Sequence, residues 1–236
     1  MKHLLRLHPL FASLLALGLC SLVLAQQPEP IDQVPLYGNI DRNAVPRLRE
    51  ADEQFIAGTA KAFGSRSQAA IAFVDRGFRY YVADDLANAM RRFNQAWLLD
   101  PNNPQVYWGF GSIRSDQAKM CESMTFLEKA LSFNVYVSGL LPDAARSIAL
   151  CALEETNLSE SERSARFSRA DELYSQALER DRDKGYVYAS MASVWYERGE
   201  YARAWQAVEQ SRRLGGSPDP RFLARLRERM QEPARQ

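Results

Sequence analysis

From Pro46 onward the apolar residues recur every three to four positions, the spacing of one buried face on an α-helix. Leu48, Ala51, Phe55, Ile56 and Phe63 share such a face, and Gly64 behind them supplies a natural stop. Ser65 and Gln68 then have the spacing of a capping box, which opens the next helix. The run "FNQAWLLDPNNPQVYWGFG" (93–111) ends one helix and begins another at once. Pro101 cannot continue a helix and disfavours helical geometry at Asp100. The pattern predicts helical pairs at 69–83 with 86–99, 104–117 with 120–133, 142–156 with 164–180, and 186–198 with 202–214. A further amphipathic helix, Pro220 to Gln231, places Phe222, Leu223, Leu226 and Met230 on one side and arginines on the other.

The pairs repeat. A shift of 34 residues brings Phe73 onto Tyr107, Gly77 onto Gly111, Phe93 onto Leu127 and Ala96 onto Ala130. The same shift superimposes Ala170 on Ala204 and Tyr174 on Val208. Ala130 and Ala177 are 47 residues apart, so one unit carries thirteen extra residues. The polar segment Asn157 to Arg166 is the expected place for most of them. In each unit small residues (Gly77, Gly111 and Ala192 on the first helix, Ala89, Ala96, Ala130, Ala170, Ala177 and Ala204 on the second) let paired helices approach. Phe93, Leu127 and Tyr174 fill the space between units.

This pattern resembles the tetratricopeptide repeat family. Gly77, Tyr80, Ala89, Phe93, Ala96 and Pro101 match its best unit, and Trp195, Gly199, Tyr201 and Ala204 its last. Arg114 and Ser123 depart from the pattern in the second unit, and the third is irregular. The resemblance implies an all-α fold: a right-handed solenoid of about four helical hairpins, with an extra N-terminal helix and a C-terminal cap over its last apolar face. The chain then divides into a signal peptide (1–25), an extended proline-containing leader (26–45), an N-terminal helix (46–64), the repeats (65–218) and a capping helix with tail (219–236).

The N-terminus reads as an export signal. Lys2 and Arg6 precede an apolar run from Leu10 to Leu24, and Val23 and Ala25 are small residues at the −3 and −1 sites of a cleavage point after Ala25. The run is short of the ~20 residues that span a bilayer, which leaves no stable span after cleavage; an uncleaved anchor and a lipid-modified Cys20 are the alternatives. A periplasmic or secreted location follows from cleavage. The processed chain would carry neither His3 nor His8 and a net charge of −1, counting 28 Lys and Arg against 29 Asp and Glu. So weak a charge gives nucleic acid no field to bind.

Only Cys121 and Cys151 would remain. An oxidising compartment favours a disulfide between them, and two buried free thiols are the alternative. In an antiparallel stack the start of one helix meets the end of its neighbour, which places the two within bridging range.

Catalytic and metal-binding patterns are missing from the sequence. Without histidine the usual nucleophilic triads cannot form, and two cysteines 30 residues apart lack the paired spacing of a zinc site. "WGFG" lacks the third glycine and the preceding strand of a phosphate loop. No cofactor and no catalytic activity are expected.

What remains is binding. The resemblance implies that the first helix of each unit lines a groove, and its contact positions fall on Ile71, Val74, Phe78 and Tyr81; on Gln105, Trp108, Ser112 and Ser115; on Arg146, Leu150 and Leu153; and on Tyr186, Ala189, Ser193 and Tyr196. Phe78, Tyr81, Trp108, Tyr186 and Tyr196 are the candidate partner-binding residues. Phe78 and Val74 could instead pack under the 46–63 helix or the leader. Relatives that grip a C-terminal carboxylate do so with lysine, arginine and asparagine, which are scarce here, so such a clamp is not expected. The expected function is a scaffold of the bacterial cell envelope that binds a protein or peptide. The alternative is an envelope-assembly or cell-wall-associated factor whose partner is glycan or a multiprotein machine. Truncating Trp108 or Tyr196 is expected to weaken capture while leaving the melting temperature nearly unchanged.

Overall fold

The structure, a computed structural model, describes residues 30–234. The expected signal peptide, with Cys20 and the cleavage point at Ala25, lies outside the described residues, as do the last two residues of the tail. Among the described residues the chain is all-helical: α1 (Pro46–Phe63), α2 (Arg66–Val82), α3 (Leu86–Leu99), α4 (Pro104–Asp116), α5 (Met120–Leu131), α6 (Leu140–Glu154), α7 (Glu160–Arg180), α8 (Lys184–Glu197), α9 (Tyr201–Arg213) and α10 (Pro220–Arg229). None of these helices is long and apolar enough to cross a membrane.

Local chemistry sets the boundaries. Gly64 ends α1 in the left-handed region at φ +86°, and the Ser65 hydroxyl accepts the Gln68 amide at 3.1 Å to start α2. Asp85, Asn103, Asp183 and Asp219 cap α3, α4, α8 and α10 in the same way. Pro104 and Pro220 occupy first-turn positions, where no amide hydrogen is needed. The Pro101 carbonyl accepts the Tyr107 hydroxyl at 2.8 Å, tying the α3–α4 turn to the helix it introduces.

Three of the hairpin turns share one backbone. Asp84, Ala118 and Gly199 have φ of 60°, 57° and 76°, and their amides donate to Tyr81, Ser115 and Tyr196 at 3.0, 3.0 and 2.9 Å. Asp84 and Ala118 stand 34 residues apart, so the spacing of the sequence returns as a repeated turn.

Helices pair in sequence as α2–α3, α4–α5, α6–α7 and α8–α9, and the first helices touch in series, α2 with α4, α4 with α6, and α6 with α8. Phe93, fully buried on α3, fills the space that Gly77 and Gly109 leave beside it. Leu127 fills the corresponding space at Gly111. The buried Ser123 donates to the Gly111 carbonyl at 2.8 Å and lies 2.8 Å from the Ser147 hydroxyl, which joins α4, α5 and α6 through polar atoms.

The third hairpin departs from expectation in two places. The segment expected to hold most of the extra residues is largely helical: Ser159 and Glu162 form a capping box, and α7 begins at Glu160 rather than near 164. The rest of the excess falls in the linker 132–139. There Asp181 Oδ1 accepts the Tyr136 hydroxyl at 2.7 Å, the Ser138 hydroxyl at 3.0 Å and the Gly139 amide at 3.1 Å.

The described part of the leader is not a single extended strand of chain. From Ile31 to Ala44 it coils into three short 3-10 turns that lie on α3 and α1. Leu36, Tyr37, Gly38 and Asn39 all have positive φ, and the ring of Tyr37 is buried with the Arg42 guanidinium 4.2 Å above it. Asn94, wholly buried on α3, holds this segment: its Oδ1 accepts the Tyr37 amide, and its Nδ2 donates to the carbonyls of Asp32 and Val34 at 3.1 and 2.8 Å. Bidentate Arg42–Asp52 and single Arg91–Asp32 pairs, each at 2.6 Å, complete the attachment.

The final helix is α10, which buries Leu223 and Leu226 against α9, while Met230 is left exposed.

Candidate functional site

The face shared by α2, α4, α6 and α8 gathers most of the sequence-predicted residues. Phe78 on α2 and Trp108 on α4 lie in ring contact, centroids 4.8 Å apart. The Trp108 indole N–H donates to Asp143 Oδ2 at 2.8 Å, and the Tyr186 hydroxyl, from α8, donates to the other oxygen of the same carboxylate. One acidic side chain on α6 thus joins aromatic residues of α4 and α8. Burial raises the Tyr81 hydroxyl well above its usual range, with Asp116 at the end of α4 adding to the effect. Phe78 meets Phe93 and Trp108 rather than the leader, whereas Val74 is core and Ile71 is half exposed.

Tyr196 is not part of this row. Its ring lies 5.7 Å from both Tyr201 and Phe222, in a second cluster built by α8, α9 and α10. The Phe222 ring of α10 thus lies against Tyr196, which stays partly exposed. Trp108 is only partly exposed and hydrogen-bonded, so an unchanged melting temperature is no longer expected of Trp108→Ala.

Beside Asp143 stands Arg146. Both oxygens of Asp143 are already engaged, and the guanidinium reaches Oδ1 only at 3.7 Å. Arg146 makes no hydrogen bond among the described residues, and its Nε is enclosed without a partner. Burial opposes its charge, but Asp143 and the surrounding tyrosines outweigh that and hold its pKa above the ordinary arginine value. Burial likewise raises the Tyr186 hydroxyl well above its usual range, with Asp143 adding to the effect, and raises the Asp116 carboxyl.

Arg146, Asp116 and Tyr186 open onto a cavity of about 760 Å³ whose far wall is α10, through Arg221, Phe222 and Arg225. The arrangement offers aromatic faces, a guanidinium with free donors and tyrosine hydroxyls: the chemistry of recognition.

Sequence reasoning placed Arg146 on this face and gave it no role, and it missed Asp143. The signal was present: they are the only charged residues between Leu140 and Leu153 on a helix otherwise built of apolar and small residues. The part played by α10 carried no such signal, because its arginines read as the solvent side of a cap.

Away from this face, Cys121 on α5 and Cys151 on α6 are joined as a disulfide, their Cα atoms 4.7 Å apart. Glu155 lies with the two sulfurs inside a 4.8 Å cluster, but sulfurs bonded to each other present no thiolate to a metal ion.

Compared with known proteins, the chain matches no family profile and no curated protein.

Proposed function

We propose that this chain is a non-catalytic scaffold of the bacterial cell envelope that binds a protein or peptide along the α2–α4–α6–α8 face. In this reading the hairpins stack as a right-handed tetratricopeptide-like solenoid, and residues 1–25 direct export before they are removed. The recurrence of one turn geometry at Asp84, Ala118 and Gly199 supports the repeat.

The observation that carries the function is the row Phe78–Trp108–Asp143–Tyr186. It spans four helices, and Tyr186 keeps 38% of its surface exposed. Large aromatics left open and fixed by hydrogen bonds are the residues on which interface energy concentrates.

The test is affinity capture from envelope extract by the wild type and by Trp108→Ala and Tyr186→Ala, each checked for folding by circular dichroism. A partner retained by wild type and lost by both folded variants supports the reading. Cosedimentation with isolated cell wall that is lost in the same variants would assign the face to glycan instead. Capture that both variants preserve would place the binding surface elsewhere.

A further inference from the structure

The cavity beside Tyr186 has an unbalanced charge. Three arginines line it: Arg146 from α6, and Arg221 and Arg225 from α10. Arg146 makes no hydrogen bond among the described residues and meets Asp143 only at 3.7 Å, with Trp108 and Tyr186 already on that carboxylate's two oxygens. The Arg221 side chain is 93% exposed and meets Asp219 only at 3.7 Å. Arg225 lies 5.4 Å over the Tyr196 ring and joins no ion pair among the described residues. Of the two acids in the lining, one is committed. Asp219 accepts the amides of Arg221 and Phe222 at 2.6 and 3.0 Å as the cap of α10. Asp116 is the remaining acid of the lining, one carboxylate facing three guanidinium groups.

The spacing of the arginines carries further information. Arg221 and Arg225 are four residues apart on one helix, so their Cβ atoms are about 6 Å apart on the same side. Alternate side chains of an extended peptide, which share one side, are about 6.6 Å apart. A single chain-terminal carboxylate would engage one of these guanidinium groups; acids at alternate positions engage both, and a further acid can reach Arg146.

Resting on the binding function proposed above, we propose that this cavity receives an extended acidic peptide segment of the partner, with carboxylate side chains at alternate positions paired to Arg146, Arg221 and Arg225 and with Tyr186 and Phe222 as apolar walls.

Calorimetric titration with three eight-residue peptides tests this at about 0.15 M salt, where surface charges beyond about 8 Å are screened. The first is acetylated and amidated, with glutamate at alternate positions and leucine or tyrosine between. The second replaces every glutamate with glutamine. The third is the glutamine peptide with a free C-terminal carboxylate. The first should bind at least about tenfold tighter than the others, as expected when several charge-assisted pairs form together. Arg225→Ala and Arg146→Gln should each remove about that factor, with Arg169→Ala on α7 as an unaffected control. Arg225 is exposed, so its variant stays informative if Arg146→Gln folds poorly.

Equal binding of the first two peptides overturns acid recognition and leaves peptide binding standing. Tightest binding of the third overturns it in favour of a terminal carboxylate. Failure of all three, with Trp108-dependent capture intact, overturns this inference alone; failure of that capture as well removes the binding function beneath it.

Discussion

The ring of Phe93 occupies the place where a β-carbon on Gly109 would stand: built there, that carbon lies 2.4 Å from the ring. On its other side the same ring would lie 2.5 Å from a β-carbon on Gly77. The ring is wholly buried between two helices and cannot swing away from either. Gly109→Ala therefore overpacks the core at a cost of about 1–3 kcal/mol, against which the better helix propensity of alanine returns about 1 kcal/mol. Thermal unfolding should show a midpoint several degrees lower. An unchanged or higher midpoint would mean that α4 can move off Phe93.

Ala118 should behave in the opposite sense. It is exposed, with φ of 57°, in a turn that the last hairpin makes with Gly199. Alanine in the left-handed region is strained by roughly 1–2 kcal/mol, part of which glycine gives back as unfolded-state entropy. Ala118→Gly should raise stability by up to about 1 kcal/mol in urea unfolding, and a loss would contradict the turn geometry.

The sequence was most legible where local chemistry acts alone. The stops at Gly64 and Pro101, the Ser65 cap and the small residues at helix contacts were readable because each works through near neighbours. α7 starts four residues ahead of the expected 164 because "NLSESERSAR" has no apolar period; its first turn rests on the Ser159–Glu162 cap, which a search for buried stripes overlooks. The linker 132–139 is organised by Asp181, more than 40 residues away, and no local pattern announces that. The candidate site divides likewise. Helix position alone was enough to set Phe78 and Trp108 on neighbouring helices, where their rings meet, whereas the contact of Tyr196 with Phe222 depends on a helix that sequence order places after it.

Asn94 is expected to decide whether the leader stays attached. It is buried without exposure and satisfies three leader backbone groups. Asn94→Ala leaves those groups unpaired at about 1–3 kcal/mol for each that stays buried, so the leader should release instead. Limited proteolysis should then cut within residues 30–45 much faster than in wild type, with α2–α9 intact. Equal cutting rates would show that Arg91 and Arg42 suffice.

Alkali should loosen the same segment. Burial raises the Tyr37 hydroxyl from 10.0 to about 12. The folded state therefore keeps a proton that the unfolded state releases, and the contribution is whole below about pH 10 and lost as pH rises toward 12. The loss is on the order of 2–3 kcal/mol at most. Urea unfolding of wild type and Tyr37→Phe between pH 9 and 12 should show the wild type falling more steeply, while parallel curves would place the titration elsewhere.

Reduction should act on the α5–α6 junction. The Cys121–Cys151 bridge closes a loop of 30 residues, and restricting the unfolded chain in that way is worth about 3–4 kcal/mol. Reductant, or the double variant Cys121→Ser and Cys151→Ser, should lower the unfolding midpoint in proportion. No difference between oxidised and reduced protein would mean that the α5–α6 packing holds the junction without it.

The leader's attachment to Asn94 also fixes an order of events during synthesis. The Tyr37 amide and its acceptor are 57 residues apart, and the acceptor is made second. At about 5–20 residues per second, the leader emerges roughly 3 to 11 seconds before its seat exists. The first described segment of the chain thus waits for a helix made after it, and until α3 is complete it is free for whatever handles nascent chains.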